Sequence, residues 1–317
     1  MKNEKAFSKN GFYKFVLDSN LMLHQHVAAA GTQVLTDWLK SQPLQKQIAV
    51  LDLACGGEPV SISKMLNNFP QRIFHYTGID INSDQIEHAK TQFKFPDNVK
   101  TINLIEGDAW NIEFLPDKKF DIIFTGMNLH HGTPEEIHCL LLQSVKKLSP
   151  SGIFINHDEY RPKHLPYLRR PNANPQNPSE SFTMIQDNLL AAYQSTSLTF
   201  KEANPSNDSD WRATIFIEPY IEALKLRGAH SQGIKEVVSH VMTRDFPISV
   251  LEMEAIVDKA GFTYSYIDLK AQNEPLEQFF ALIVARPKDR QALKKGAVSK
   301  RQTNSTYPIS FFLLFNV

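Results

Sequence analysis

VLDLACGGEPVS, residues 50–61, passes from an apolar run through one acid and a corner of small residues into a proline-started segment. IAVLDL, 48–53, has the pattern of a strand buried on both faces. Pro59 can open the helix that follows, because the N–H it lacks would have no partner in a first turn. Gly56 and Gly57 let the backbone bend sharply between the two. Such a corner turns backbone N–H groups and the positive end of a helix toward a ligand's negative group. A plain tight turn would use the same residues, so the reading needs support from elsewhere in the chain.

Strand and helix signals alternate downstream. FHYTGID (74–80) reads as a second strand, and the next helix starts near Asn82 or Ser83 with Ile86, Ala89 and Phe93 on one face. VKTINLIEGD (99–108) and FDIIFTG (120–126) are strands three and four. TPEE at 133–136 joins a cap, a first-turn proline and a capping-box glutamate ahead of the stripe Ile137, Leu140, Leu141, Val145 and Leu148. GIFIN (152–156) is strand five. Upstream, Leu23, Val27, Val34, Leu35 and Trp38 predict one or two amphipathic helices within an N-terminal segment, 1–47. The alternation implies an α/β fold, a doubly wound and mostly parallel sheet with helices on both faces and ligands at the carboxyl ends of its strands.

The alternation stops near residue 160. Five prolines fall within 161–178, and helical patterns follow in SFTMIQDNLLAAY and WRATIFIEPYIEALKL. Residues 161–245 therefore read as a helical insertion, a lid between core segments 48–160 and 246–286. The sheet resumes with a capping box at Ser249 and Glu252, a helix ending before Gly261, and strands FTYSYIDLK and EQFFALIVAR, whose short connection makes them antiparallel. Residues 287–317 form a basic tail with no assigned function.

With 34 basic and 34 acidic residues, the chain lacks the summed positive field that drives non-specific nucleic-acid binding. A small molecule is the expected partner. Two cysteines make no disulfide framework, which fits a reducing compartment. MKNEKAFSKN lacks the apolar core of a secretion signal, and no run reaches the ~18 apolar residues of a membrane span. The expectation is a cytoplasmic protein without membrane partners.

The acids at the strand ends sharpen the ligand. Asp80 ends strand two, where an acid some 20 residues beyond such a bend accepts hydrogen bonds from ribose hydroxyls. Asp108 ends strand three, within reach of an adenine amino group. On VLDLACGG, GID, GDAW and FDIIFTGMNLHH, the sequence resembles the class I S-adenosylmethionine-dependent methyltransferases over roughly residues 45–160 and 246–286. The resemblance implies a Rossmann-like sheet of seven strands with the last inserted antiparallel, and S-adenosyl-L-methionine as cofactor. It also implies that Asp52, Ala54, Gly56 and Gly57 surround the methionine portion, that Asp108 and the Ala109 backbone hold adenine, and that Asn128 lies near the methionine end. Two positions depart from the family's acid-x-Gly-x-Gly-x-Gly: Ala54 replaces its first glycine and Glu58 its third. Glu58 suits a helix start, yet it would repel a ligand carboxylate if it pointed inward. A nicotinamide enzyme would need G-x-G-x-x-G, and this chain has neither the spacing nor the third glycine.

Methyl transfer from a sulfonium is an in-line displacement, so the protein must chiefly align nucleophile, methyl and sulfur. A protonated oxygen or nitrogen acceptor also needs a base. Strands four and five offer His130, His131, His157, Asp158, Glu159 and Tyr160. His157 extends directly from a buried strand and leads as the base candidate, ahead of His130. The same residues could offer oxygen or nitrogen ligands to a metal, but neighbours on an extended strand point to opposite faces, and no metal set is assigned. The insertion carries Tyr160, Arg161, Tyr167, Arg169, Arg170, Tyr193, Trp211, Arg212 and Tyr220, suited either to gripping a planar or anionic acceptor or to forming the lid's own core. The expected function is methyl transfer to a small-molecule oxygen, nitrogen or carbon nucleophile. A catalytically inactive scaffold of the same fold and a protein or RNA methyltransferase are the alternatives.

Overall fold

The computed structural model describes residues 12–161, 217–269 and 279–288. Two helices, α1 (Phe12–Asp18) and α2 (His24–Leu39), precede β1 (Ile48–Leu53), α3 (Val60–Asn67), β2 (Phe74–Asp80), α4 (Ser83–Thr91), β3 (Val99–Glu106) and β4 (Phe120–Gly126). A 3₁₀ turn, Leu129–His131, leads into α5 (Pro134–Lys147) and β5 (Leu148–Glu159). Then come α6 (Ile217–Leu226), α7 (Ser231–Arg244), α8 (Val250–Lys259), β6 (Phe262–Asp268) and β7 (Phe280–Pro287).

The seven strands form one sheet in the order β3-β2-β1-β4-β5-β7-β6. Neighbours from β3 to β5 run parallel, while β7 runs antiparallel to both β5 and β6. Chain order reverses between β1 and β4, and ligands of open α/β sheets sit at that switch point. The carboxyl ends of β1 and β4 lie side by side there, with Leu53 opposite Thr125.

Period-two alternation builds two apolar layers from single strands. Ile48, Val50, Ile122, Phe124, Ile153, Ile155, Leu282 and Val284 face one side, with Leu35 and Trp38 of α2 and Ile62 and Met65 of α3. Leu51, Leu53, Ile123, Phe154 and Ile283 face the other, under Ile137, Leu140 and Leu141 of α5 and Met253 and Val257 of α8. The Trp38 indole N–H donates to the Ser151 carbonyl at 2.7 Å, which ties α2 to the start of β5. Both capping boxes form as the sequence predicts, Thr133 with Glu136 and Ser249 with Glu252.

Some boundaries move. Val60 is the first helical residue of α3 and Pro59 its N-cap. Helix α4 stops at Thr91, so Phe93 lies past its end, edge-on to Phe95 with ring centroids 4.9 Å apart. β5 runs on to Glu159, because its polar end is buried among partners rather than exposed. Helix α7 is an element the sequence reading does not anticipate. The helix expected over 181–193, the tail beyond 288, the β6–β7 connection and Tyr167, Arg169, Arg170, Tyr193, Trp211 and Arg212 lie outside the described residues. Among the described residues no helix is long and apolar enough to cross a membrane.

Candidate active site

After β1 the chain turns through two left-handed residues, Ala54 at φ 58° and Gly56 at φ 62°. That region costs a residue with a Cβ roughly 1–2 kcal/mol, so neighbouring elements must hold the corner. The Cys55 N–H donates to the Ile79 carbonyl at 3.0 Å, the Gly56 N–H to Asp80 Oδ2 at 2.9 Å, and the Gly57 N–H to Gln85 Oε1 at 2.7 Å. Here the structure differs from the expectation that these amides face a ligand. They are engaged by β2 and α4, and the first turn of α3 borders the cavity instead, through Val60, Ser61 and Ile62. A Cβ on Gly57 would stand 2.6 Å from Gln85 Oε1, so this glycine admits α4 against the bend.

The cavity above the switch point has a volume of about 340 Å³, within the usual range for small-molecule sites. At one end lie Asp52, Ala54, Gly56, Glu58 and Asp80. Asp52 is buried and accepts the Tyr76 hydroxyl at 2.7 Å. Burial pushes its carboxyl up to about 7, against the Tyr76 hydrogen bond and with help from Asp80. Asp80 accepts the Asn82 N–H on Oδ1 at 2.9 Å and the Gly56 N–H on Oδ2. Burial raises its carboxyl too, and those two amides oppose the rise. Each of its oxygens keeps a second lone pair for a ligand hydroxyl. Glu58 Oε1 lies 3.4 Å from His88 Nε2, drawn toward α4.

The other end is built from histidines. His24, His130, His131, His157 and His240, five of the chain's eleven, line one cavity, a concentration that a scatter of surface histidines would not give. His157 is fully buried and neither ring nitrogen has a hydrogen-bond partner. Burial, then the neighbouring His24, lower it to about 3, so it is neutral at physiological pH. His24 bonds Ser61 Oγ through Nδ1 at 2.8 Å, and burial lowers it to about 4. Its ring meets that of His157 edge-on at 5.9 Å.

His130 is held differently. Its Nδ1 is 2.5 Å from Asp158 Oδ1, and Asp158 also accepts the Leu129, Glu159 and Asn156 N–H groups. Burial opposes charge on both partners, but the carboxylates Asp158, Glu159 and Asp245 hold His130 well above its ordinary range, and His130 holds Asp158 below its own. An ionised Asp158 only accepts, so His130 Nδ1 carries the donated proton and Nε2 faces the cavity wall. Glu159, pushed up to about 8 mainly by burial, accepts the Tyr220 hydroxyl at 2.7 Å. Tyr220, Val237, His240, Val241 and Asp245 close this end from α6, α7 and the residue that caps α7.

A methyltransferase-domain family model matches residues 50–152. Residues 50–152 thus match a methyltransferase domain. A demethylmenaquinone methyltransferase of Leptospira interrogans is 27% identical over 120 residues, 38% of this chain and 46% of that protein. An uncharacterized methyltransferase of Synechocystis is 28% identical over 115 residues, 36% of this chain and 49% of that protein. The chain thus aligns with about half the length of the curated relatives it matches. In a solved complex between the Haloferax volcanii Trm112 methyltransferase activator and a methyltransferase, one chain superposes with a TM-score of 0.51 at 12% identity, over 91% of this chain and 100% of that one. That likeness concerns the fold alone.

Within the methyltransferase domain, the structure gathers Asp52, Ala54, Gly56, Asp80, Asn128, His130 and His157 around one cavity. Gly57, Asp108 and Ala109 are not among the residues that line it. Gly57 packs against α4; Asp108 is exposed and its Oδ1 accepts the Trp110 N–H at 2.9 Å, closing its own turn, while Ala109 is buried in the core. Tyr160 is also in the core and bonds Asn156, and Arg161 pairs with Glu252 at 2.5 Å. His24, His240 and Asp245 are site residues that the sequence reading misses. No local motif marks them, since His24 precedes β1 while His240 and Asp245 lie on α7 and at its C-cap, far in sequence from the motif strands.

Proposed function

We propose that the chain transfers a methyl group from S-adenosyl-L-methionine to a small-molecule oxygen, nitrogen or carbon nucleophile by in-line displacement. One observation carries the reading: a single cavity runs from the β1 bend and Asp80 to a histidine-lined end closed by α6 and α7. The residues present fit the cofactor. Asp80 has lone pairs for ribose hydroxyls, the positive end of α3 suits a carboxylate, and Asp52 suits an ammonium or sulfonium once ionised. Bound there, the cofactor supplies an electrophilic methyl on sulfur.

The chain's own residues do the rest. His157, neutral and with both ring nitrogens unpartnered, accepts a hydrogen bond from the acceptor and orients it. Its low basicity suits orientation better than proton storage. Tyr220 and α7 exclude water from that end. Glu58 borders the same end of the cavity, with its Oε1 3.4 Å from His88 Nε2. Free Cys55 and Cys139 support action in a reducing compartment such as the cytoplasm.

Thermal unfolding of the full chain with S-adenosylmethionine, S-adenosylhomocysteine or NAD tests the cofactor. Ligand at about 100 times Kd adds about 2.7 kcal/mol, a melting rise of several degrees for the first two and none for NAD. The reverse pattern overturns the proposal. His157→Ala should then slow transfer of labelled methyl to a metabolite extract while leaving cofactor affinity unchanged. Wild-type transfer by that variant removes His157 from acceptor handling.

A further inference from the structure

The wall where α7 meets the 3₁₀ turn holds a second arrangement that methyl transfer does not explain. His130 Nε2, His131 Nδ1 and His240 Nε2 lie 3.5, 3.5 and 3.3 Å from one oxygen, Asp245 Oδ1. One ligand atom from each of the four residues falls within 4.8 Å of all the others. A tetrahedral zinc ion with bonds of about 2.0 to 2.1 Å has ligand-to-ligand edges of about 3.3 to 3.4 Å. The three separations to Asp245 Oδ1, 3.5, 3.5 and 3.3 Å, lie close to that edge.

A second observation points the same way. Metal-bound histidines almost always donate their other ring N–H to a carboxylate or carbonyl, which fixes the tautomer and aims the free lone pair. His130 does this through Nδ1 to Asp158 Oδ1 at 2.5 Å, and that carboxylate is itself held by the Leu129 and Glu159 amides. The scaffold is tied independently of any ion, because the Phe246 N–H donates to the His130 carbonyl at 2.8 Å. The His131 Nδ1–H donates to the Arg244 carbonyl at 3.2 Å, so ligation exchanges that bond for the ion and moves the ring proton to Nε2.

We propose that His130, His131, His240 and Asp245 bind one divalent first-row transition ion, zinc fitting best, which clamps the end of α7 to the β4 side of the cavity. Three imidazoles and one carboxylate are a borderline nitrogen-rich set that suits Zn²⁺ and disfavours Mg²⁺ and Ca²⁺, whose preference is for oxygen. The sequence assigned no metal because its candidates, among them His130, His131, His157, Asp158 and Glu159, include neighbours that point to opposite faces of an extended strand. The structure instead puts His130 and His131 on a tight turn and draws the other two from a segment more than 100 residues away. The site does not depend on the methyl-transfer reading.

The test uses the full chain, stripped with a chelator and dialysed, then titrated with zinc chloride, cobalt chloride or magnesium chloride. One zinc per chain by elemental analysis, a tetrahedral-type visible spectrum with cobalt, and no magnesium binding support the site. His240→Ala and His131→Ala, the two less buried ligands, should each weaken zinc at least tenfold, and Asp158→Asn by about 10- to 100-fold. Circular dichroism and the S-adenosylmethionine melting shift check folding of each variant. Zinc binding that is absent in the wild type, or unchanged in both alanine variants, overturns the proposal. Zinc bound without an S-adenosylmethionine shift would sink the cofactor reading and leave this one standing.

Discussion

Asp80→Ala probes the corner and the ligand together. The side chain holds two backbone amides, those of Gly56 and Asn82, each at 2.9 Å. Hydrogen bonds to a charged group contribute about 1.5 to 3 kcal/mol each, so their joint loss is bounded near 6 kcal/mol. Burial already disfavours the ionised carboxylate, which offsets part of that. A net loss of about 2 to 3 kcal/mol is expected, against a typical total of about 5 to 15, or roughly 3 to 5 °C in Tm for a chain of 317 residues. Because Ala54 and Gly56 sit in left-handed backbone beneath this carboxylate, the corner should loosen as well. Affinity for S-adenosylmethionine should fall at least tenfold by calorimetry, one lost ribose bond being worth that factor of about 1.4 kcal/mol. Urea unfolding gives the first quantity and titration calorimetry below the variant's melting point the second. A variant with wild-type midpoint and wild-type Kd would refute both the stapling of the bend and the ribose assignment.

Gly57→Ala sets a Cβ 2.6 Å from Gln85 Oε1 and 3.0 Å from the His88 ring; swinging Gln85 away strips the Gly57 N–H of its acceptor, so about 1 to 3 kcal/mol should be lost. Unchanged urea stability would show that α4 does not need the close approach. Ala54→Gly relieves the left-handed strain but loosens the unfolded chain, for a net gain of up to about 1 kcal/mol; a destabilised variant would contradict the strain. Asp52 keeps its proton in the folded state up to about pH 7, whereas an ordinary carboxyl loses it near 3.8. Between those values the unfolded chain binds fewer protons, so this group makes stability fall as pH rises and adds no further slope above about 7. Asp52→Asn should remove that contribution from the urea midpoint measured across pH; an identical slope would rule it out.

The sheet was legible because β1, β2 and β4 are short apolar-rich runs, β2 and β4 ending at Asp80 and Gly126, and because two capping boxes mark helix starts with few alternatives. Helix α7 was legible in principle: Ile234, Val237, Val238 and Val241 recur at i, i+3, i+4 and i+7, and all four are buried. The β-branched content and Gly233 weaken the local preference, and packing against α6 overrides it. The end of β5 was not legible. HDE at 157–159 falls past the expected end of strand five at residue 156, yet its burial depends on Leu129, His130 and Tyr220, whose arrival no local pattern announces.

The same contrast separates the two ends of the cavity. At the bend, the corner follows from backbone geometry within a few residues, so a motif can carry it even though β2 and α4 engage its amides: Gly57 admits a helix, and Asp108 closes its own turn. At the histidine end, chemistry arises only when α6 and α7 fold across β4 and β5. His24, His130, His157 and His240 span most of the chain, and a change of one helical turn in how α7 docks would move His240 and Asp245 about 5 Å along the wall. The shape of the histidine end therefore depends on the docking of α7 more than on the motif strands, and an ion at His130, His131, His240 and Asp245 would reinforce that docking beyond the Phe246 N–H bond to the His130 carbonyl.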